Sequence, residues 1–336
     1  MDGICTLAND YVYDQLVALL NSIEAVYGTA MPVCIYPYDN RLERTLALIR
    51  DRPQVQIYAD TESMQQWDDW ARDAWDTCPT ARAIWAKAGS SGYHRFGTHR
   101  RYGAFDGPFD RFVYMDADTV LLRPLDALFA ALEQVEFVAY DFQHRDLSHV
   151  YAAESAKLAS LFTSEQLQTQ IFCSGFYASK RGIFPPEKRQ ELLTQLSAGD
   201  AEILYPMAPD QTLLNYMVMR SPLSYQNLVF TLPSEQVTGN SVTSSHFEVH
   251  DHHVYDHGKP LIYLHYIGVS SRRFAELCDG QNVIFPYRDL FWHYRYWRSL
   301  DEPPELTGSV VIPPRSRPTL WQRGWRKVQA LMEKQL

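Results

Sequence analysis

Apolar and polar residues alternate along the N-terminal segment in a pattern that predicts strands separated by amphipathic helices. Short apolar runs at 3–8, 33–36 and 55–58 have the length of buried strands. Between the first two runs, apolar residues recur at the spacing of one helix face: Leu16, Leu19, Leu20, Ile23 and Tyr27. A second helix is predicted over 41–50, so the chain begins with a βαβαβ unit, in which crossover helices join parallel strands.

The pattern continues toward the C-terminus. We expect strands at 137–140, 171–177 and 261–268, the second of them interrupted by small residues, and helices that begin near Pro124 and Pro209. Large aromatic side chains are expected to fill the core rather than bind a ligand, and these include four tryptophans: Trp67, Trp70, Trp75 and Trp85.

An acidic pair follows the apolar strand predicted at 111–115. Asp116 and Asp118 stand at i and i+2, so a strand projects both carboxylates to one side. A rise of about 3.3 Å per residue separates their Cα atoms by about 6 to 7 Å, and Ala117 between them leaves room for a ligand. Paired carboxylates suit Mg²⁺ or Mn²⁺, although an Asp-x-Asp sequence on a surface turn is often only solvated. The preceding strand favours a metal–phosphate site at the carboxyl edge of the sheet.

Other polar side chains are expected at the same edge. Thr6, Ala8 and Asn9 end the first strand, and Asp60 follows the third. Neither a dinucleotide-binding glycine motif nor a P-loop follows the first strand. The phosphates of a bound nucleotide would therefore be held by a metal and by side chains.

Three further groups of residues are candidates for the site. Arg100 and Arg101 lie upstream of the acidic strand, where they either pair with phosphate or lie on a solvated helix face. His265 ends an apolar strand and is either a structural residue or a third metal ligand. Asp210 and Gln211 fall in the first turn of a predicted helix, where polar side chains face a site.

Composition narrows the class of protein. The 336 residues carry a net charge of −9, which disfavours nucleic-acid binding, and the length suits one large α/β domain or two domains. Five cysteines are scattered without CxxC spacing, which argues against a disulfide framework or a zinc site and favours a reduced, cytoplasmic setting. The sequence shows neither a signal-peptide pattern nor an apolar run long enough to span a bilayer.

Five short motifs follow one another along the chain: Leu7-Ala8-Asn9-Asp10-Tyr11, Tyr114-Met115-Asp116-Ala117-Asp118, Ser174-Gly175, Asp210-Gln211-Thr212-Leu213-Leu214-Asn215 and His265-Tyr266-x-Gly268. In this order they resemble the motifs of the family 8 nucleotide-sugar glycosyltransferases, the group of glycogenin and the lipopolysaccharide galactosyltransferases. The resemblance runs from residue 1 to about residue 275, and the ordered set is more specific than any one motif.

The resemblance implies a single GT-A domain over residues 1–300, an α/β fold of Rossmann type with a mostly parallel central sheet. Residues 1–140 would form the nucleotide-binding half and residues 141–300 the acceptor-binding half, followed over 301–336 by a Pro-rich linker and a helical tail. The implied activity is Mn²⁺- or Mg²⁺-dependent transfer of a sugar from a nucleotide-sugar, a UDP-sugar in this family, with retention of configuration. The acceptor would be a glycan, a lipid-linked sugar or a protein.

Carried over residue by residue, the resemblance makes Asp116, Asp118 and His265 the metal ligands. It places Gln211 beneath the anomeric carbon of the donor, with Asp210 beside it. The other matching positions would bind the donor: Thr6, Leu7, Ala8, Asn9, Asp10, Tyr11, Arg100, Arg101, Ala117, Ser174, Gly268 and Arg272. One of the two neighbouring arginines would lie beside the diphosphate, and the spacing does not settle which.

Two positions depart from the family pattern. Cys173 stands where the family has an asparagine before the small residue and glycine, and the lysine that follows His-x-x-Gly is missing. Arg272 lies in that loop and would take the phosphate role only if the loop is in effect one residue longer. The identity of the donor sugar therefore stays open.

Two other classes of protein remain as alternatives. In a haloacid-dehalogenase-like phosphatase, Asp116 would be the nucleophile and Asp118 the general acid, but the later acidic pair that such enzymes need for Mg²⁺ does not follow in the sequence. The acidic pair argues against a third class, the retaining glycoside hydrolases. Such an enzyme holds its two carboxylates about 5 Å apart across the scissile bond, whereas Asp116 and Asp118 point to one place. A non-catalytic nucleotide-sugar-binding protein is the other alternative.

The acceptor and the tail are less well defined. Segment 241–258 carries five histidines, a pattern more typical of a solvated loop than of a metal-binding tract. We expect this segment and 143–151 to face the acceptor, because loops near a transfer site carry specificity. Tail 312–336 is basic and, if helical, amphipathic with two tryptophans on one face, which predicts either peripheral contact with an anionic membrane or packing on the main domain.

Overall fold

The computed structural model describes residues 1–298 and 302–311. Within them the strands, in chain order, are β1 Asp2–Ala8, β2 Val33–Pro37, β3 Val55–Ile57, β4 Arg111–Met115, β5 Thr119–Leu121, β6 Phe137–Ala139, β7 Phe176–Lys180, β8 Tyr225–Asn227, β9 Glu248–His250, β10 His253–Asp256, β11 Lys259–Pro260, β12 Tyr263–His265, β13 Gln281–Val283 and β14 Thr307–Val311. The α-helices are α1 Tyr13–Tyr27, α2 Glu43–Ile49, α3 Thr61–Asp76, α4 Pro79–Lys87, α5 Asp126–Gln134, α6 Leu158–Leu161, α7 Ser164–Thr169, α8 Pro186–Ser197, α9 Pro209–Arg220, α10 Ser271–Cys278 and α11 Arg288–Tyr296. Short 3₁₀ segments lie at Asp10–Val12, Phe96–Asp106, Gln143–Arg145, Leu147–His149, Asp200–Ile203 and Leu228–Phe230.

A seven-stranded sheet with the order β3-β2-β1-β4-β7-β6-β8 forms the centre of the molecule. All neighbouring pairs are parallel except those that involve β7, which is antiparallel to both β4 and β6. The predicted βαβαβ unit and mostly parallel sheet are confirmed. Because β1 and β4 are direct neighbours, the residues that follow both strands lie at one edge of the sheet.

Helices cover both faces of this sheet. Alternate residues of β1 and β4 point into two separate apolar clusters: Cys5, Leu7, Phe112 and Tyr114 into one, and Ile4, Ala8, Val113 and Met115 into the other. The first cluster is built with α3, α4, α8 and α9, and the second with α1 and α5. The four predicted tryptophans all belong to the first cluster, three of them with no exposed surface and Trp70 with 6%. Their predicted packing role is confirmed.

A third apolar cluster joins the C-terminal part of the chain to the first helix. Helices α10 and α11 pack there with residues of β5 and β12 and with Ala18 of α1. The contact is also polar, because Asn21 on α1 donates a hydrogen bond to the carbonyl oxygen of Tyr294, at 2.7 Å. Arg295 on α11 reaches Asp14 on α1 at 2.8 Å, and both side chains are almost fully buried. Helix α11 is thus fixed to the N-terminal half of the fold.

Several predicted elements differ from those observed. The strand predicted at 171–177 begins only at Phe176, and the one predicted at 261–268 is limited to β12. The histidine-rich segment 241–258, predicted as a solvated loop, contains two short antiparallel strands, β9 and β10, and the rest of it is turns and irregular structure. Among the described residues, no helix is long and apolar enough to cross a bilayer. The predicted tail helix at 312–336 lies outside the described residues.

We expect Arg295→Met to destabilise the protein strongly, because it leaves the Asp14 carboxylate buried without its cation. Breaking a buried pair in this way costs about 3 to 5 kcal/mol. Arg181→Met is the matched control, since Arg181 pairs with Asp110 at the same 2.8 Å but both side chains are about half exposed. Such surface pairs contribute about 1 kcal/mol or less. Urea denaturation should show the difference, and equal losses in the two variants would contradict this account of how α11 docks.

Candidate active site

The acidic pair lies in the tight connection between β4 and β5. Asp116 and Asp118 follow β4 at the carboxyl edge of the sheet, and Thr119 closes the turn by donating from its amide and its hydroxyl to the carbonyl oxygen of Asp116, at 3.1 and 2.7 Å. Strand β5 then pairs antiparallel with β12, which sets His265 opposite Thr119. This pairing brings a histidine from the C-terminal half of the chain to the two aspartates.

Asp116, Asp118 and His265 converge on one point. Each offers one ligand atom, and the three atoms lie within 4.8 Å of one another. His265 Nε2 is 3.3 Å from Asp118 Oδ1. The aspartate side chains retain 25% and 28% of their exposure, so the point remains open to solvent.

Gly175 lies beside the point where the side chains of Asp116, Asp118 and His265 converge. Its carbonyl oxygen accepts a hydrogen bond from the Asp116 amide at 2.8 Å. A Cβ atom at Gly175 would lie 2.6 Å from His265 Cε1 and 2.8 Å from Asp116 Oδ2, closer than real contacts allow. Only glycine lets the carboxylate and the imidazole occupy this place together.

The donor set fits a divalent cation. Two carboxylates and one imidazole are ligands that Mn²⁺ accepts, while Mg²⁺ prefers oxygen alone. Three protein ligands leave positions for water or a phosphate oxygen. The three residues that the sequence predicted as metal ligands are therefore brought together in an arrangement that suits a metal.

The ionisable groups of this cluster influence one another. Burial alone would lower the pKa of His265, but the Asp118 carboxylate raises it well above its usual range. Burial would raise the pKa of Asp118, and the facing imidazole lowers it instead. The pKa of Asp116 is raised, because burial and the neighbouring Asp118 outweigh the opposing effect of Arg101. Without a metal, His265 and Asp118 form a charged pair, and a metal must displace the imidazole proton.

Arg101 lies behind the acidic pair and joins it to α9. The guanidinium contacts Asp116 Oδ1 at 3.2 Å and Asp210 Oδ2 at 3.0 Å, and it donates to the Ser174 carbonyl oxygen at 2.7 Å. Its side chain is only 4% exposed. Arg100 points elsewhere and pairs with Asp68 at 2.9 Å. Arg101 is thus the arginine that contacts the acidic pair, and which of the two arginines lies beside a diphosphate stays a prediction.

The first turn of α9 contributes two side chains to the same region. Arg101 holds the pKa of the buried Asp210 carboxyl at about 2, against the effect of burial. Gln211 accepts a hydrogen bond from the Ser174 amide at 3.1 Å and donates one to the His149 carbonyl oxygen at 2.9 Å. Hydrogen bonds at both the oxygen and the nitrogen of the side-chain amide therefore fix the position of Gln211.

Segment 171–175 is not a strand because side chains bind its amide groups. Asn215 accepts from the Phe172 amide at 3.0 Å, and Asp141 accepts from the Cys173 amide at 2.8 Å. The Ser174 amide donates to Gln211. These bonds replace the ladder of a sheet and hold the segment open beside the metal ligands.

Asp141 lies beside the candidate site and was not predicted from the sequence. It follows β6 at the same edge of the sheet, is 3% exposed, and also accepts from the Gln143 amide at 2.6 Å. Burial raises its pKa to about 7, although its backbone hydrogen bonds oppose this. Like Asp116, Asp141 directly follows a predicted apolar strand, and this pattern is the signal in the sequence that could have identified it. The prediction covered only the paired aspartates.

The end of β1 and the residues just after it divide into a buried wall and an exposed ring. Thr6, Leu7, Ala8 and Asn9 are buried, and the Asn9 amide donates to Asp39 Oδ2 at 2.9 Å. Tyr11 is 61% exposed.

Asp10 is engaged at the start of α2 rather than directed toward the acidic pair. Its carboxylate accepts hydrogen bonds from the amide groups of Arg44 and Thr45, at 3.1 and 2.9 Å. These bonds lower the pKa of Asp10 despite partial burial. Asp60 does the same for α3, since it accepts from the Ser63 amide at 2.9 Å.

The remaining predicted positions lie around the cluster. Ala117 is buried between the two aspartates. Gly268 is exposed and has a φ of +82°, which its lack of a side chain permits. Arg272 is in the first turn of α10, where it is 81% exposed and paired with Glu276 at 2.6 Å.

Comparison with solved structures identifies the fold. The galactosyltransferase LgtC, solved with donor and acceptor sugar analogues, is 14% identical with a TM-score of 0.50, and the match covers 82% of this chain and 94% of LgtC. An active-site mutant of LgtC is 13% identical with a TM-score of 0.51, covering 88% of this chain and 100% of that one. The WbbM bifunctional glycosyltransferase is 15% identical with a TM-score of 0.44, and the match covers 72% of this chain but 39% of WbbM. No family model matches the chain, and no curated protein matches it. The likeness to LgtC confirms the predicted α/β fold of GT-A type.

Arg101→Met should destabilise the fold by about 3 to 5 kcal/mol, because it removes the cation that pairs with the buried Asp210 carboxylate and with the partly exposed Asp116 carboxylate. Arg72→Met is the control, since Arg72 pairs with Asp69 at 2.7 Å on an exposed helix face. Denaturant midpoints will separate the two variants. Replacement of Asp210 by Asn in the Arg101→Met background should restore part of the loss. If Arg101→Met loses no more unfolding free energy than Arg72→Met, the buried guanidinium of Arg101 does not hold the carboxylates of the site in place.

The low pKa of Asp210 predicts a specific loss of stability in acid. The folded pKa of about 2 lies below the ordinary 3.8, so the stabilisation is present above about pH 4 and is lost as the pH falls through the folded pKa. Its size is about 2 kcal/mol, at about 1.4 kcal/mol per pKa unit. Since Asn does not titrate, the difference in unfolding free energy between the wild type and Asp210→Asn should shrink between about pH 5 and about pH 2. A difference that is constant over this range would contradict the prediction.

Proposed function

We propose that the protein is a metal-dependent glycosyltransferase that moves a sugar from a nucleotide-sugar donor, a UDP-sugar, to an acceptor. The observation that carries the proposal is the convergence of Asp116, Asp118 and His265 at the carboxyl edge of the sheet. It is supported by the fold, which is that of a galactosyltransferase solved with donor and acceptor sugar analogues.

The chemistry of the proposed reaction explains why this cluster is acidic and not nucleophilic. When a sugar leaves its nucleotide, negative charge develops on the departing diphosphate, and a bound Mn²⁺ or Mg²⁺ supplies the positive charge that stabilises it. In this chain Asp116, Asp118 and His265 hold the cation. Arg101 acts as a positioning residue, because its guanidinium already binds Asp116 and Asp210 and fixes the direction of the Asp116 carboxylate.

The donor lies along the edge from β1 to β4. Leu7, Ala8 and Asn9 form the wall beside the base and ribose, and the exposed ring of Tyr11 supplies a face on which the base stacks. Asp10 holds α2 in place rather than binding the ribose, since its carboxylate is already bonded to two backbone amides.

The sugar of the donor lies between the metal ligands and α9. Gln211 is placed beneath the anomeric carbon, where its amide is held in position by Ser174 and His149. Asp210, Ser174 and Asp141 surround the same space. The proposed retaining outcome rests on the family resemblance.

The acceptor, which is a glycan, a lipid-linked sugar or a protein, approaches from the half of the chain after residue 140. Segment 143–151 supports this assignment, because the carbonyl oxygen of His149 binds the side chain of Gln211. Segment 238–247 also borders the site, since Asn240 and Val242 form backbone hydrogen bonds with His265. Both segments are loops beside the transfer site, where specificity is commonly determined.

Asp118→Asn should weaken Mn²⁺-dependent binding of UDP, measured by calorimetry, by at least about 10-fold. A neutral amide replaces one of two anionic ligands, and even changes behind the ligands cost about 10- to 100-fold in metal affinity. Asp126→Asn is the control, because Asp126 is an exposed residue in the first turn of α5 and is not one of the three converging ligands. Binding of UDP that needs no Mn²⁺ and is unchanged in Asp118→Asn would overturn the site assignment.

Turnover separates this function from its alternatives. A thermal-shift panel of nucleotide sugars, run with and without Mn²⁺, identifies the donor for an assay of sugar transfer or donor hydrolysis. Binding with no turnover against any acceptor class would indicate a binding protein. Hydrolysis of an aryl phosphate that is lost in Asp116→Asn would indicate the phosphatase.

A further inference from the structure

The histidine-rich segment forms two tight hairpin turns. Strand β10 is joined to β9 through Asp251-His252 and to β11 through His257-Gly258, and all four turn residues have positive φ. Two-residue turns of this kind strongly favour asparagine, aspartate and glycine, because other side chains crowd the backbone at positive φ. Histidine stands at positive φ in both turns, with φ of +63° at position 252 and +50° at position 257. Of these two turn histidines, His257 is the one that lies beside the Asp256 carboxylate.

The imidazole of His257 joins a small cluster of potential metal ligands. His246 Nε2 lies 2.9 Å from Asp256 Oδ1, and His257 Nε2 lies 3.8 Å from the same oxygen. The two imidazole rings are nearly parallel, with an interplanar angle of 15° and centroids 4.8 Å apart. One ligand atom from each of the three residues falls within 4.8 Å of the others.

The carboxylate of this cluster is held in place from behind. Asp256 Oδ2 accepts a hydrogen bond from the Gly239 amide at 2.7 Å, which leaves Oδ1 directed toward the two histidines. Gly239 is needed for this approach, because a Cβ atom there would lie 2.6 Å from the ring of Phe247. Asp256 is 15% exposed, whereas the histidines are 47% and 79% exposed. A partly buried, oriented carboxylate beside two accessible imidazoles is the arrangement of a metal site with a fixed outer shell.

We propose that His246, Asp256 and His257 form a second metal site, which binds a transition-metal cation such as Zn²⁺. Tetrahedral Zn²⁺ with ligands at about 2.0 to 2.1 Å separates its donor atoms by about 3.3 Å. The observed separations of 2.9 and 3.8 Å lie on either side of that value. Two imidazoles and one carboxylate, with the fourth position open to solvent, form a donor set that selects Zn²⁺ over Mg²⁺.

The other histidines of the segment have different partners, so histidine content alone does not explain the cluster. His250 Nε2 faces Glu248 at 3.3 Å, and His253 Nδ1 lies 2.9 Å from the Asp251 carbonyl oxygen. His252 stacks on His293 with centroids 3.5 Å apart. Within the described residues, His246 and His257 are the histidines of the segment that share a carboxylate.

The proposed cation would clamp the segment that lies behind the first metal site. Gly239 and His246 contact Asp256 at the two ends of segment 239–246. Between them, Asn240 accepts a hydrogen bond from the His265 amide at 2.7 Å, and Val242 donates one to the His265 carbonyl oxygen at 3.1 Å. Binding at the second site would therefore stabilise the backbone partner of His265, although that cation touches no ligand of the first site.

His257→Asn tests the proposal with a matched control. Asparagine is well tolerated at positive φ, so the turn is retained while one ligand is lost. His252→Asn makes the same substitution in the other turn, where φ is +63° and the imidazole is not in the cluster. Both changes are made in the full chain carrying Asp118→Asn, which weakens binding at the first site. Zn²⁺ affinity is measured by competition with a chromophoric chelator at about pH 7.5, where an ordinary histidine with a pKa of about 6.5 is neutral.

The Asp118→Asn parent and His252→Asn should bind Zn²⁺ equally, and His257→Asn should bind it at least about 10-fold more weakly. Co²⁺ added in place of Zn²⁺ should give the visible absorption of a nitrogen-ligated ion in the parent and not in His257→Asn. Circular dichroism and thermal midpoints in the presence of a chelator establish that both variants fold. Equal affinities of His257→Asn and the parent, an equal loss in both histidine variants, or no binding by the parent would each overturn the proposal. The result is independent of the UDP-binding test, so either proposal can fail alone.

Discussion

The buried guanidinium of Arg101 is the interaction on which the rest of the candidate active site depends. It joins three segments that are distant in sequence: the 3₁₀ segment Phe96–Asp106, the end of β4 and the start of α9. Arg101 lowers the pKa of Asp210 to about 2, whereas burial and the neighbouring Asp118 raise the pKa of Asp116 despite the same guanidinium. The guanidinium holds the carboxylates from behind, and a divalent cation at the proposed site would bind the acidic pair on the side that is open to solvent.

The fold determines which residues can reach that point. Parallel pairing of β1 and β4 sets the end of β1 beside the aspartates, and antiparallel pairing of β5 and β12 supplies His265. Antiparallel β7 begins one residue after Gly175, so the chain enters it through the segment whose amides bind Asp141, Asn215 and Gln211. Side-chain acceptors from two elements thus fix the small residues that line the site, and Gly175 leaves the space that a side chain would fill.

Sequence patterns predicted the elements whose burial is regular and missed the ones determined by side-chain contacts. The helix through Leu16 and Ile23 and the strand before Asp116 were identified because one face or both faces of these elements are apolar. The strand predicted at 171–177 was too long, because periodicity does not reveal that its amides donate to side chains. The role of Arg101 was left open for the same reason, since a charged residue that is 4% exposed looks no different in sequence from Arg100. Asp141 was missed because its function depends on β6 lying at the same edge as β4, and strand order cannot be obtained from a local pattern.

The two proposed metal sites differ in ligand chemistry but share a structural element. The first has two carboxylates and one imidazole, which suits a cation that also binds phosphate oxygen, and the second has two imidazoles and one carboxylate, which suits Zn²⁺. Segment 239–246 contacts Asp256 at its ends and His265 in its middle. If a cation at the second site restricts this segment, the loss of entropy needed to fix His265 at the first site is smaller. Linkage then requires that the first cation raise the affinity for the second by the same factor. Such coupling would pass through the two backbone hydrogen bonds that join segment 239–246 to His265.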